Sequence, residues 1–122
     1  MKQTLDALHD FFSQFGLPVY AGDNIPDNVK MPYITCDLVE PEPLATALFN
    51  ASVWYRNTDF ITVAAKVDEI KAAIGNGASL KTESGVIHIF RERSGAFCQM
   101  RNDPNRETKR AYLSMLIHCN TD

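Results

Sequence analysis

The sequence predicts an α+β fold in which two helices pack on one face of a mostly antiparallel β-sheet. Three observations point there. Apolar residues recur at helical spacing in two stretches, near residues 5–15 and 60–74. Between and after them lie segments that alternate apolar and polar side chains, as half-buried strands do. The resulting order, α-β-β-α-β-β-β, lacks the strict β-α-β alternation of parallel sheets.

The first helix rests on Leu5, Leu8, Phe12 and Phe15, with Asp6, His9, Asp10 and Gln14 falling largely elsewhere around the axis. Phe11 widens the apolar face, so the helix is expected to lie across a sheet. Gly16 and then Pro18 stop it. A short extended piece near residue 20, a possible extra strand, leads into GDNIPDNVKMP, where Gly, Asn, Asp and Pro deny regular structure. Pro32 pre-sets an extended backbone for YITCDLV. There Ile34, Cys36 and Leu38 share one face, and Tyr33, Thr35 and Asp37 the other.

Glu40-Pro41-Glu42-Pro43 cannot supply a regular backbone ladder, so 40–47 is expected to be a mobile arm or a wide hairpin loop. The second strand runs roughly from Leu48 to Arg56, with Phe49, Ala51, Val53 and Tyr55 opposed to Asn50, Ser52 and Trp54. Asn57 or Thr58 is expected to cap the second helix, with Asp59 near its positive end. Phe60, Val63, Ala64, Val67, Ile70 and Ile74 form its apolar stripe, and Gly75-Asn76-Gly77 ends it. GVIHIFRER then reads as a strand, Ser94-Gly95 as a turn, and AFCQMRN as a short return strand. DPNRETKR reads as a polar loop, and AYLSMLIHCN as the closing strand.

At 122 residues the chain fits one domain spanning 1–122, long enough to bury a core without metals or disulfides. Hydrophobic content of 45% and charged content of 22% are ordinary for a globular protein. No apolar run approaches the ~20 residues of a membrane helix, and MKQTLDALHDFF lacks the pattern of a signal peptide. Cys36, Cys98 and Cys119 are odd in number and far apart, which argues for structural thiols. The net charge is -3, unevenly spread: residues 1–60 carry eight acids and three bases, residues 61–122 seven acids and nine bases.

No catalytic constellation emerges from the motifs. His9, His88 and His118 fall on three elements without H-x-x-x-H spacing, so no metal site is expected. No G-x-S-x-G is present, and Cys98 lacks a recognisable catalytic neighbourhood. The carboxylates of Asp68 and Glu69 point about 100° apart on a wet helix face. A basic cluster remains: Arg91, Arg93, Arg101, Arg106, Lys109 and Arg110, with Phe97 nearby. Glu92, Asp103 and Glu107 interrupt it, and the pI near 5.5 is wrong for a general phosphate binder.

The order of segments resembles one family. A leading amphipathic helix precedes GDNIPDNVKMPYITCDLV, then SVWYRNTDFITVAAKVDEIKAAI, then a DPNRETKRAYLSMLIHCN finale. This is similar to the tail terminator and tail-completion (head–tail joining) proteins of long-tailed bacteriophages and Gram-positive prophages, over nearly the whole chain. The resemblance implies a non-enzymatic structural subunit, without a cofactor, that closes into a homo-oligomeric, hexameric ring. The ring would cap the head-proximal end of the tail tube, stop its polymerisation and offer the head-attachment surface. Its partners would be itself, the tail tube protein and a head-completion or neck protein, with no membrane and no specific nucleic acid. It would be assembled in the host cytoplasm and kept in the virion at the tail neck. Arg91, Arg93, Arg101, Arg106 and Arg110 are then the expected assembly contacts, and 40–47 and 101–110 the segments expected to order on assembly.

Overall fold

The computed structural model describes residues 2–22, 25–56, 59–92, 95–102 and 107–121. Its order is α1 (Lys2–Ser13), β1 (Val19–Ala21), β2 (Tyr33–Cys36), β3 (Thr46–Arg56), α2 (Ile61–Ile74), β4 (Ala78–Thr82), β5 (Gly85–Arg91), β6 (Cys98–Asn102) and β7 (Thr108–Thr121). Among the described residues the strands form one seven-stranded sheet in the order β1-β2-β3-β7-β5-β4, with β6 also on β7. Every pairing is antiparallel except β1 with β2. This is the expected α+β class, with one strand, β4, added to the expected order besides the short one near residue 20.

Strand alternation sorts the side chains cleanly. Ile34, Val53 and Ala111 form one transverse row, Cys36, Ala51 and Leu113 the next, and Phe49 with Met115 another. All of them are buried, together with Ile87, Ile89, Ile117 and Cys119. Leu8, Phe11, Phe12 and Phe15 of the α1 segment and Val63, Val67, Ile70 and Ile74 of α2 complete the same core. Both helices therefore cover this one face. Phe12 stacks on Phe49, with ring centroids 6.0 Å apart.

α1 touches β1 and β4, the two ends of the strand path. A 12-residue helix is about 18 Å long, whereas six strands span about 24 Å at their usual spacing. The helix therefore lies across the strands and nearly spans the path from edge to edge. At the β4 end, the backbone N–H and hydroxyl of Ser84 donate to Gln3 Oε1 at 3.2 and 2.8 Å.

Several local expectations are corrected. Leu38 is 52% exposed, because the ladder of β2 stops at Cys36 and Val39, one residue on, turns to the core instead. Leu38 lies over Gly22, whose φ of +57° would strain any side chain and where a Cβ would sit 3.0 Å from Leu38 Cδ1. Phe60 immediately precedes α2, and Asn57 and Thr58, expected to cap it, lie outside the described residues. The carboxylate of Asp59 takes the capping role, accepting from Ile61 N–H at 2.9 Å. The 40–45 segment is a hairpin connection held in place: Pro41 is buried, Thr4 Oγ1 donates to Glu40 at 3.2 Å, and Leu44 N–H donates to Cys119 O at 2.8 Å.

β6 does not return along β5. Both run antiparallel to β7 on the same side of it, β5 pairing with Met115–Thr121 and β6 with Lys109–Leu113. From Met115 to Leu113 β7 advances two residues, while the facing chain advances seven, from Arg91 to Cys98, an insertion of five. Ser114 bridges the break, accepting from Glu92 N–H at 3.3 Å and donating its own N–H to Phe97 O at 2.8 Å. β7 also begins at Thr108, inside the segment expected to be a loop, so Lys109 and Arg110 are strand residues.

Candidate interaction surface on the open sheet face

Among the described residues the second face of the sheet has no helix on it, since α1 and α2 both pack on the other. The alternate residues of each strand point there, and the register arranges them in rows. At one end lies Tyr33–Trp54–Arg110–Arg101, beside Tyr20–Thr35–Ser52–Tyr112–Gln99. Leu48, Leu116 and Phe90 form an apolar band across the middle. Thr46, His118, His88 and Ser79 make a row at the other end.

The first two rows interlock. Arg110 Cζ lies 4.5 Å from the Trp54 ring centroid and 5.1 Å from that of Tyr112, and Arg101 Cζ lies 4.4 Å from Tyr112. Arg110 Nε donates to Ser52 Oγ at 2.9 Å, and Trp54 Nε1 donates to Thr35 Oγ1 at 3.0 Å. Tyr20 meets Tyr33 edge-on at 5.8 Å, and Tyr33 adjoins Trp54 at 6.3 Å. Stacked guanidiniums are held rigidly on rings in this way, which lowers the entropy a partner must remove. Among the described residues neither Arg101 nor Arg110 has a carboxylate within ion-pair distance. Beside them a groove of about 320 Å³ is lined by Asp37, Asn50, Ser52, Trp54, Arg110 and Tyr112.

Of the five arginines expected to make contacts, the structure brings Arg101 and Arg110 together as direct cross-strand partners. Arg91 is separate: it pairs with Met115 and shares the helix-covered side with Ile87 and Ile89, half-buried. Arg93 and Arg106 lie outside the described residues. Lys109 faces the helix side as well, buried with its Nζ 5.1 Å from the Phe60 ring centroid. Sequence reading overlooked Trp54, Tyr112, Tyr20 and Tyr33 as surface groups. Their signal was present: in β3 and β7 an aromatic stands at a polar-phase position of the alternation.

In comparisons with known proteins, no family model matches the chain, and no curated protein matches its sequence. A solved structure does match in fold. A chain of the virion of a native gene transfer agent (GTA) particle superposes with a TM-score of 0.65 over 88% of this chain and 82% of that one, at 19% identity. The likeness concerns the fold.

His88 and His118 adjoin on the open side, but Cys119 points into the core, so the three do not form one site. Among the described residues no group of three or more His, Cys, Asp or Glu comes together. Burial pushes the Cys98 thiol above its ordinary value, reinforced by the Asp68 carboxylate, which disfavours the reactive thiolate. Burial likewise pushes Cys36 up to about 12, with Asp37 adding to it. No helix is long and apolar enough to cross a membrane among the described residues.

Proposed function

We propose that the chain is a non-enzymatic structural subunit of a phage-like particle, closing with copies of itself into a ring at the head-proximal end of a tail tube. There it stops tube polymerisation and offers a surface to a head-completion or neck protein. The observation that carries the reading is the open sheet face, where Arg101 and Arg110 are stacked on Trp54 and Tyr112 with no carboxylate within ion-pair distance among the described residues. Such an arrangement is prepared for an acidic protein surface. The fold likeness to a chain of a gene transfer agent virion over 88% of the sequence supports it, as does the segment-order resemblance to tail terminators.

A ring contact is head-to-tail, so each subunit needs two different surfaces. The Arg101–Arg110 platform supplies one. Exposed acids of the first half, among them Asp10, Asp27 and Glu42, offer the complementary charge. Each contact must bury on the order of 1,000 Å² to be stable. The test is electron microscopy and sedimentation of the purified chain, alone and with tube protein. Rings, or tubes capped at one end, are expected. A chain that stays monomeric at high concentration and leaves tube length unchanged overturns the reading.

A second reading, another neck, minor tail or minor capsid component, uses the same face and predicts rings or head contacts without tube capping. Nucleic-acid binding is weaker. Single strands bind by stacking bases on free rings, and Arg101 and Arg110 already lie over the Tyr112 and Trp54 rings.

A further inference from the structure

The far end of the open face carries a different chemistry. Thr46 (β3), His118 (β7), His88 (β5) and Ser79 (β4) are successive cross-strand partners, forming one transverse row with hydroxyls outside and imidazoles inside. Thr46 Oγ1 lies 2.9 Å from His118 Nδ1, and Ser79 Oγ lies 3.0 Å from His88 Nδ1. The two rings stand side by side, centroids 6.5 Å apart and planes 30° from parallel. Both Nδ1 atoms are thus engaged by hydroxyls, and neither Nε2 has a partner among the described residues.

We propose that His88 and His118 bind one divalent transition-metal ion of the imidazole-preferring class, such as Zn²⁺, Ni²⁺ or Cu²⁺, through their Nε2 atoms. With the proton on Nδ1, each hydroxyl oxygen accepts it and leaves the Nε2 lone pair for the ion. Orientation of a ligating histidine through its other nitrogen is what metal sites ordinarily use. Imidazole donors suit these three ions. An ion bound at about 2.1 Å from nitrogen lies about 3.3 Å from the ring centre, so two rings sharing it at a tetrahedral angle have centroids about 5.3 Å apart. The observed 6.5 Å therefore closes by about 1 Å, within reach of side-chain rotation on two directly paired strands. The two protein ligands leave the remaining coordination positions open to water.

The site is independent of the ring reading, because it is measured on the isolated chain. Titration calorimetry of tag-free protein with Zn²⁺ and Ni²⁺ is expected to give one ion per chain. His88→Ala and His118→Ala should each weaken it by about tenfold or more, and the hydroxyl pair Thr46→Val with Ser79→Ala by about tenfold. His9→Ala and Cys98→Ser serve as controls and should bind as the parent does. Circular dichroism confirms that each variant folds, and imidazole nitrogen shifts on adding Zn²⁺ identify the ligating atom. Binding that survives both His changes, that is lost with Cys98→Ser, or that falls below one ion per chain overturns the site.

Discussion

Arg101 and Arg110 are direct cross-strand partners, and both guanidiniums lie over the Tyr112 ring, at 4.4 and 5.1 Å from its centroid. Like charges placed opposite each other in a sheet repel. The pair is therefore a poor device for stabilising the monomer and a good one for attracting an anionic surface.

Replacing Arg101 by Ala should accordingly change monomer stability by no more than about 0.5 kcal/mol, while weakening self-association. The double change of Arg101 and Arg110 to Glu should abolish rings without unfolding the chain. Association of the parent should also weaken as salt screens the contact. Thermal melts set beside sedimentation separate the two effects. A parent-like assembly of the doubly reversed chain would remove the platform from the interface.

Trp54 is the sole tryptophan and stands in the platform. Its emission should shift over the same concentration range in which rings appear, and remain constant in a variant that stays monomeric. Trp54→Phe loses the 3.0 Å bond to Thr35 and should cost about 1 kcal/mol of stability. Emission that ignores assembly would place the contact elsewhere.

Phe12 is fully buried and stacked on Phe49 where α1 crosses the sheet. Phe12→Ala should destabilise by about 3–5 kcal/mol through lost burial and the cavity left behind. Denaturant unfolding measures this directly.

The carboxylate of Asp59 accepts from the first N–H of α2, that of Ile61, at 2.9 Å. Asp59→Ala should cost about 1 kcal/mol. Asp59→Asn keeps the accepting oxygen and should recover most of it, which a purely electrostatic contribution would not.

Cys36 makes stability fall at alkaline pH. Its thiol is pushed up to about 12 in the folded chain, against an ordinary value of 9.0. Above pH 9 the unfolded chain gives up this proton while the folded chain keeps it, so rising pH favours unfolding. The maximal slope is about 1.4 kcal/mol per pH unit, and it ends near pH 12. Cys36→Ala should show a shallower decline over that window. Parallel curves for the two proteins would contradict the burial of the thiol.

Much of this architecture can be read from the residues because the core stripes are wide and regular. Leu8, Phe12, Val63, Val67 and Ile70 repeat at helical spacing, and Leu113, Met115 and Ile117 at strand spacing; all lie where that periodicity puts them. β4 was hidden because its five residues include only two apolar ones, Ala78 and Leu80. Leu38 misled because alternation in sequence ran on past the last ladder hydrogen bond of β2. The direction of β6 is fixed by the five-residue insertion opposite Ser114, and no local pattern carries that information. The same holds for the surface. Arg101 and Arg110 stand out as charges, but their meeting with Trp54 and Tyr112 depends on the register of three strands. His88 and His118, thirty positions apart, become neighbours in the same way.

β7 occupies the middle of the sheet, yet the ribosome makes it after every strand it joins. The 65 residues between Arg56 and Thr121 take roughly 3–13 s to synthesise at 5–20 residues per second. Until β7 emerges, the nascent β3, and β5 once it is made, lack the neighbour that will satisfy the amides and carbonyls of one edge. Release of a chain that stops short of residue 108 would leave two sticky borders facing each other across an empty slot, a species fit for chaperones and aggregates rather than for a particle.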